Sequence, residues 1–194
     1  MKPWLTNSAR RHPGRTAVRP VDGGEGITYG RLADEVGRRA AVVSTLADDT
    51  DRPVVALLAE NSVEWLRVAH SILWLGGTLV PLNPKLSQAD WADQLSSIRP
   101  DVLIHDRPVD APTAAGAAAT VEELVSNAND VVTAAPPVAI EASAVATIFF
   151  TSGTTGKPKA VPLTYRNHAT SATASAYNLG VLPGDRWLAP LPLY

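Results

Sequence analysis

The chain has 194 residues, 45% of them hydrophobic and 19% charged, with a formal net charge of −2. Such a composition belongs to an ordinary globular domain long enough to bury a core, and the near-neutral balance excludes attachment to nucleic acid through bulk charge. Having no cysteine, the chain can form no disulfide, thiolate metal site or cysteine nucleophile.

A cytoplasmic address is expected. Residues 1–14 carry Arg10, Arg11, His12 and Pro13 without an apolar core, so they are not a secretory signal. The longest apolar stretch, residues 72–82, is interrupted by Gly76, Gly77 and Pro81 and falls far short of the roughly 20 residues of a membrane span.

Residues 16–19 read as a short strand, and the turn Asp22-Gly23-Gly24-Glu25-Gly26 returns the chain at Ile27. Thr28 is placed to cap a helix with Leu32, Val36, Ala40, Val43 and Ala47 on one face. Residues 53–59 form an apolar run of strand length. Asn61, with Glu64 three residues on, resembles a capping box opening a helix that turns Trp65, Ala69 and Ile72 inward. Gly76 and Gly77 supply its stop.

Residues 78–82 are the next strand. Ser87 and Asp90 start a helix with Trp91, Leu95 and Ile98 at helical spacing, Arg99-Pro100 ends it, and residues 101–105 form another strand. Strands alternating with helices predict an α/β fold, a mainly parallel sheet flanked by helices. Residues 107–119 and 134–139 read as loops within the domain, on either side of a short helix capped by Thr120 and Glu123. No internal repeat is present.

Residues 145–150 have the β-branched and aromatic character of a fully buried strand. They run into Thr151-Ser152-Gly153-Thr154-Thr155-Gly156-Lys157-Pro158-Lys159. Of the chain's four lysines (Lys2, Lys85, Lys157, Lys159), two lie in this loop. A polyphosphate needs this combination. Glycines admit backbone N–H groups to the oxygens, hydroxyls add donors, and ammonium groups neutralise charge. The nucleotide-binding Walker loop is excluded, because Gly153 and Gly156 are three apart and Lys157 precedes Pro158. A merely flexible polar loop is the competing reading, and the concentration of lysine argues against it.

At this loop the chain resembles the adenylate-forming superfamily of acyl-CoA synthetases, peptide-synthetase adenylation domains and luciferases. Three shorter motifs stand in the same order around it. They are Ile27-Thr28-Tyr29-Gly30-Arg31-Leu32, Leu73-Trp74-Leu75-Gly76-Gly77-Thr78-Leu79-Val80-Pro81-Leu82-Asn83 and Pro190-Leu191-Pro192-Leu193-Tyr194. Within the superfamily, Asn167-His168, Ser171-Ala172, Asn178-Leu179-Gly180 and Asp185-Arg186-Trp187-Leu188 look most like the o-succinylbenzoate-CoA ligases of menaquinone biosynthesis. Trp4-Leu5, Pro13 and Ala17 suit the same branch. Two positions depart from the pattern: Ala160 stands where Gly is usual, and Tyr165 where many relatives have His.

The resemblance implies a ligase that joins a carboxylic acid to coenzyme A through an acyl-adenylate, using ATP and Mg2+. Thr151, Ser152, Gly153, Thr154, Thr155, Gly156, Lys157 and Lys159 would hold the ATP phosphates. It also implies that residues 1–194 are the N-terminal part of the large domain, incomplete, with the small mobile domain absent. The catalytic lysine and the magnesium glutamate are expected beyond Tyr194, and no catalytic or metal residue is assigned within the chain. The apolar ending, residues 187–194, fits that expectation. A fatty or aryl acid remains open as substrate. So does a different class, an inactive partial product or phosphate-binding module without catalysis.

Other residues read as structural. His12, His70, His105 and His168 have no second ligand at metal spacing. Trp65, Trp74 and Trp91 read as core, Arg38-Arg39 as a solvated helix face, and Asp48, Asp49 and Asp51 as a turn.

Overall fold

The computed structural model describes residues 1–110, 114–152, 158–182 and 184–194. In chain order the elements are α1 (Trp4–Arg11), β1 (Thr16–Val18), β2 (Ile27–Thr28), α2 (Tyr29–Leu46), β3 (Val54–Leu58), α3 (Val63–Trp74) and β4 (Thr78–Pro81). Then come α4 (Gln88–Ile98), β5 (Val102–His105), β6 (Ala117–Thr120), α5 (Val121–Asp130), β7 (Val145–Thr151), β8 (Lys159–Thr164) and α6 (Tyr165–Leu179). β1 and β2 form a small antiparallel pair, and the main sheet has the order β6-β5-β3-β4-β7-β8. Every neighbour in that sheet is parallel except the last, where β8 returns antiparallel along β7. The expected α/β architecture with a mainly parallel sheet is therefore present.

Side-chain alternation divides the core into two layers. Val55 and Leu57 of β3, Leu79 of β4, and Val102 and Ile104 of β5 face Val43 of α2, Val68 and Ile72 of α3, and Leu124 of α5. Ala56 and Leu58, Val80, and Leu103 point the other way, onto Trp91 and Leu95 of α4. With both faces covered, these strands read as unbroken apolar runs. Each fully buried Leu or Ile contributes about 1.5–3 kcal/mol, so this double layer outweighs any surface ion pair, worth about 0–1 kcal/mol.

Several local expectations hold. Thr28 caps α2, its side chain accepting from Arg31 N. Reciprocal capping boxes open α4 at Ser87 and Asp90 and α5 at Thr120 and Glu123. Gly76 takes the left-handed conformation with φ of 69°. Gly77 cannot be anything larger, because a Cβ there would lie 2.6 Å from the Pro53 carbonyl oxygen.

Other expectations need correction. Asn61 does not cap α3. Ser62 does, its Oγ accepting from Trp65 N at 2.9 Å. Glu64 is thereby free to meet Arg39, which is only 6% exposed and not part of a solvated face. The Arg39 guanidinium engages both Glu64 carboxylate oxygens and donates to the Glu35 carbonyl at 3.1 Å. Arg67 joins Glu35 at 2.7 Å and Glu64 at 3.1 Å, so the ion network lies between α2 and α3. Helical spacing brings the charged residue inward at this packing contact, and charge alone does not reveal it.

Residues 107–119 are not wholly loop, since β6 begins at Ala117 and pairs with β5 from Val102↔Ala117 to His105↔Thr120. Alanine has little strand preference, and pairing along the β5 edge overrides it. Helix α1 was not anticipated; it has no side-chain N-cap hydrogen bond and anchors through buried Leu5. Nor is β7 fully buried: Ala146 and Thr147 are, Ile148 to Phe150 are half-covered, and Thr151 is exposed. It lies next to the sheet's margin, with the largely exposed edge strand β8 as its outer neighbour.

Replacing Arg39 with alanine leaves Glu64 partly buried without its main partner, and the expected loss is about 3 kcal/mol. Arg38→Ala, which removes an exposed pair with Asp34 and a bond to the Val131 carbonyl, is expected to cost about 1 kcal/mol. Urea unfolding followed by tryptophan fluorescence separates the two, and equal losses would contradict the buried-network reading.

Candidate phosphate-binding edge

Because β3, β4, β5, β6 and β7 are mutually parallel, their carboxyl ends share one edge of the sheet. In open α/β sheets that edge is where ligands bind. β7 enters beside β4 through the pair Leu79↔Thr147 and ends there at Thr151. β8 begins at Lys159, and the two residues are register partners. The candidate phosphate loop is thus carried on a paired stem, with Thr151, Ser152 and Lys159 all exposed. Gly153, Thr154, Thr155, Gly156 and Lys157 lie outside the described residues.

The neighbouring strand ends are tied together. After β3, Glu60 N donates to Asp106 at 2.8 Å. Beyond β5, Arg107 bonds Asp106 at 2.8 Å, Glu60 at 3.3 Å and the Pro84 carbonyl at 3.0 Å. Burial pushes the Asp106 carboxyl up, but the bonds from Arg107 and the Glu60 amide outweigh it and hold the group below its ordinary value. Beyond β4, Asn83 accepts from Lys85 N and, through its carbonyl, from the Trp91 indole. The result is a hydrogen-bonded polar rim.

Two cavities open on this half of the molecule. One of about 320 Å³ lies at the foot of the loop, between Gln94 and Ser97 of α4 and the flanking Phe150 and Pro158. Gln94 is buried there, and its Oε1 has no hydrogen-bond partner among the described residues. The other, about 500 Å³, adjoins His105, Arg107 and Thr120 at the carboxyl ends of β5 and β6. Among the described residues, no cluster of three or more His, Cys, Asp or Glu could hold a metal ion.

Both departures from the family pattern acquire a physical account. Ala160 sits in the regular β7–β8 ladder opposite Phe150, where φ is not positive and no glycine is required. Tyr165 lies at the opposite end of β7 from the loop, next to the Val145↔Thr164 pair. That end is about 20 Å away at the rise of a strand. Its hydroxyl is buried and donates to the Gly77 carbonyl at 3.0 Å, and burial pushes its pKa up. Trp4 packs on Tyr165 and His168 with ring centroids 5.5 and 5.8 Å apart. His168 Nε2 is 2.8 Å from Thr147 Oγ1. This histidine is half-buried among structural partners, in line with the structural or solvent role expected for each histidine.

Sequence reasoning did not find the contact that Asn61 makes with the far end of the chain. Its amide donates to the Leu191 carbonyl at 2.8 Å and accepts from Leu193 N at 3.0 Å. The resemblance to a capping box pointed attention to the wrong partner.

A parallel sheet with a Ser/Thr/Gly/Lys-rich sequence at its carboxyl edge defines an α/β protein with a candidate phosphate-binding edge. The chain belongs to the AMP-binding enzyme family, which it matches over residues 5–194. It is 36% identical over 200 residues to the 2-succinylbenzoate–CoA ligase of Bacillus licheniformis, an alignment covering 98% of this chain and 40% of that protein. The O-succinylbenzoate coenzyme A synthetase of Bacillus subtilis in complex with AMP superposes with a TM-score of 0.84 at 33% identity, over 100% of this chain and 50% of that one. The same enzyme in complex with ATP and magnesium ion gives 0.79 at 30% identity, over 100% of this chain and 51% of that one. The chain therefore spans about two fifths of the length of the curated relatives it matches. Among the described residues, no helix is long and apolar enough to cross a membrane.

Burial holds the His168 imidazole, and likewise that of His70, below the ordinary histidine value. The folded state then prefers the neutral ring, so this stability is complete above the unfolded pKa near 6.5 and is lost as pH falls below it. The shifted carboxylates of Asp90, Asp106 and Glu123 act in a separate window, below about pH 4.5. The expected result is a lower urea midpoint at about pH 5.5 than at about pH 7.5. His168→Gln should shrink that difference; an unchanged difference would place the effect elsewhere.

Proposed function

We propose that residues 1–194 form the N-terminal part of the large domain of an acid–CoA ligase, and that its acid is o-succinylbenzoate. The observation that carries this reading is the exposed Thr151–Lys159 stem at the carboxyl edge, which brackets Gly153, Thr154, Thr155, Gly156 and Lys157. Similarity to o-succinylbenzoate ligases along the whole chain supports the choice of acid.

In the complete enzyme the carboxylate of the acid attacks the α-phosphorus of ATP, and the bond to pyrophosphate breaks. The thiolate of coenzyme A then attacks the acyl carbon and AMP leaves, giving the thioester. Thr151, Ser152, Gly153, Thr154, Thr155, Gly156, Lys157 and Lys159 would donate to the pyrophosphate oxygens, where charge builds in the transition state. Lys157 and Lys159 supply the cationic part. Mg2+ accompanies ATP and shields its phosphate charge. Its carboxylate ligand is assigned to no residue of this chain. ATP, coenzyme A and a small carboxylic acid are the partners, and the cytoplasm is the compartment that supplies them.

The test uses the polypeptide of the complete reading frame, assayed for pyrophosphate release and thioester formation with o-succinylbenzoate, then with fatty and aryl acids. Turnover with o-succinylbenzoate alone establishes the reading. Preference for another acid keeps the ligase and replaces the substrate, and failure with every acid favours a non-catalytic phosphate-binding module. In the active enzyme, Lys157→Ala or Lys159→Ala removes a charge-assisted bond and should slow adenylation about 10- to 150-fold. An unchanged rate would remove that lysine from the site.

A further inference from the structure

The hairpin that carries the candidate phosphate loop is joined to itself far better than to the sheet. β7 and β8 are register partners at six positions, from Val145↔Thr164 to Thr151↔Lys159. On its other side, among the described residues, β7 meets β4 at the single pair Leu79↔Thr147, whereas β3 and β4 share four. Ile148 and Phe150 rest half-buried on the layer covered by α4. Apolar contact of that kind is non-directional, so it presses the hairpin to the sheet without setting its angle.

Directional bonds gather instead at the end of β7 remote from the loop. Thr78 Oγ1 donates to the Val145 carbonyl at 3.0 Å. From the start of α6, the Tyr165 hydroxyl reaches across to the Gly77 carbonyl at 3.0 Å, while its backbone N donates to the Ala144 carbonyl at 3.0 Å. Thr147 Oγ1 and His168 Nε2 are 2.8 Å apart. Thr78, Thr147 and Tyr165 are 8%, 6% and 1% exposed, so water cannot readily replace a bond that is lost. Pro53 and Ile72 crowd Gly77, and its carbonyl is a fixed acceptor.

We propose that Tyr165 and Thr147 are positioning residues for the ATP phosphates, setting from the base of the hairpin where Thr151 and Lys159 stand at the carboxyl edge. The inference rests on the phosphate-loop reading above. Length gives the base its influence. From Val145 to Thr151 the strand extends about 20 Å, so a tilt of about 3° at the base moves the loop stem by about 1 Å. A shift of that size can cost about 100-fold where reaction depends on alignment. Both residues act through β7 and touch no ligand.

The experiment compares wild type with Tyr165→Phe, Thr147→Val, Thr147→Ser and Ser87→Ala in the polypeptide of the complete reading frame. Tyr165→Phe keeps the ring and removes the bond to Gly77. Thr147→Val keeps the shape and removes the hydroxyl, which Thr147→Ser restores. Ser87→Ala removes the cap of α4 and so lowers stability away from the hairpin. The urea midpoint is measured, together with the KM values for ATP and for acid in acid-dependent ATP–pyrophosphate exchange. Tyr165→Phe and Thr147→Val should each raise the KM for ATP about 5- to 20-fold and leave that for acid within about twofold. Thr147→Ser should return both to within about twofold of wild type, and Ser87→Ala should lower the midpoint with neither KM moved. An unmoved KM for ATP in the two hairpin variants, or one that rises equally in Ser87→Ala or in step with the KM for acid, would reduce the pair to a structural role. If the wild type activates no acid, the ligase reading falls, and the Kd for ATP from equilibrium dialysis replaces KM. A Kd weakened by Tyr165→Phe and Thr147→Val alone upholds the positioning role; an unmoved Kd, or a wild type that binds no ATP, overturns it.

Discussion

The parallel entry of β7 beside β4 is the constraint on which the site depends. Antiparallel entry would send Thr151 to the opposite edge, away from Asn61, Asn83 and Asp106. Parallel entry requires a long crossover, and residues 82–144 supply one through α4, β5, β6 and α5. The crossover is itself structural: β5 and β6 extend the sheet, α4 covers one face and α5 the other. A seven-residue strand can then end exposed because its first half is held by Gly77, Thr78 and Tyr165.

Two kinds of charge arrangement coexist. Between α2 and α3, arginines and glutamates satisfy one another within a partly buried layer, and nothing is left over for a ligand. At the start of β8, Lys159 stands exposed on the loop stem, where no described carboxylate is paired with it. Composition counts both as basic residues. Their distinction comes from whether the backbone places a carboxylate within reach.

Much of the central α/β layer was legible because both of its codes are local. Strand runs 53–59, 78–82 and 101–105 are continuous apolar blocks, and the helices between them keep helical spacing behind Thr28, Ser87 and Thr120 caps. The candidate phosphate loop is marked in the sequence by its hydroxyls, glycines and lysines. What stayed hidden depends on partners distant in sequence. β6 is a strand because β5 offers an edge, and its alanines give no sign of it. Arg39 is buried because Glu64 waits 25 residues later. Asn61 faces Leu191 and Leu193 more than 120 residues away, and the local pattern Asn61–Glu64 imitated a cap that Ser62 in fact provides.

The exposed margin of β8 has a bearing on self-association. An unpaired strand edge is a template on which another chain can add, and β8 presents Lys159 to Pro162 to solvent at the end of the sheet. Pro162 has no N–H to contribute to an added strand, and Lys159 places a charge at its start. The residues that make the loop stem a poor hydrophobic surface thus also make this margin a poor seed for aggregation.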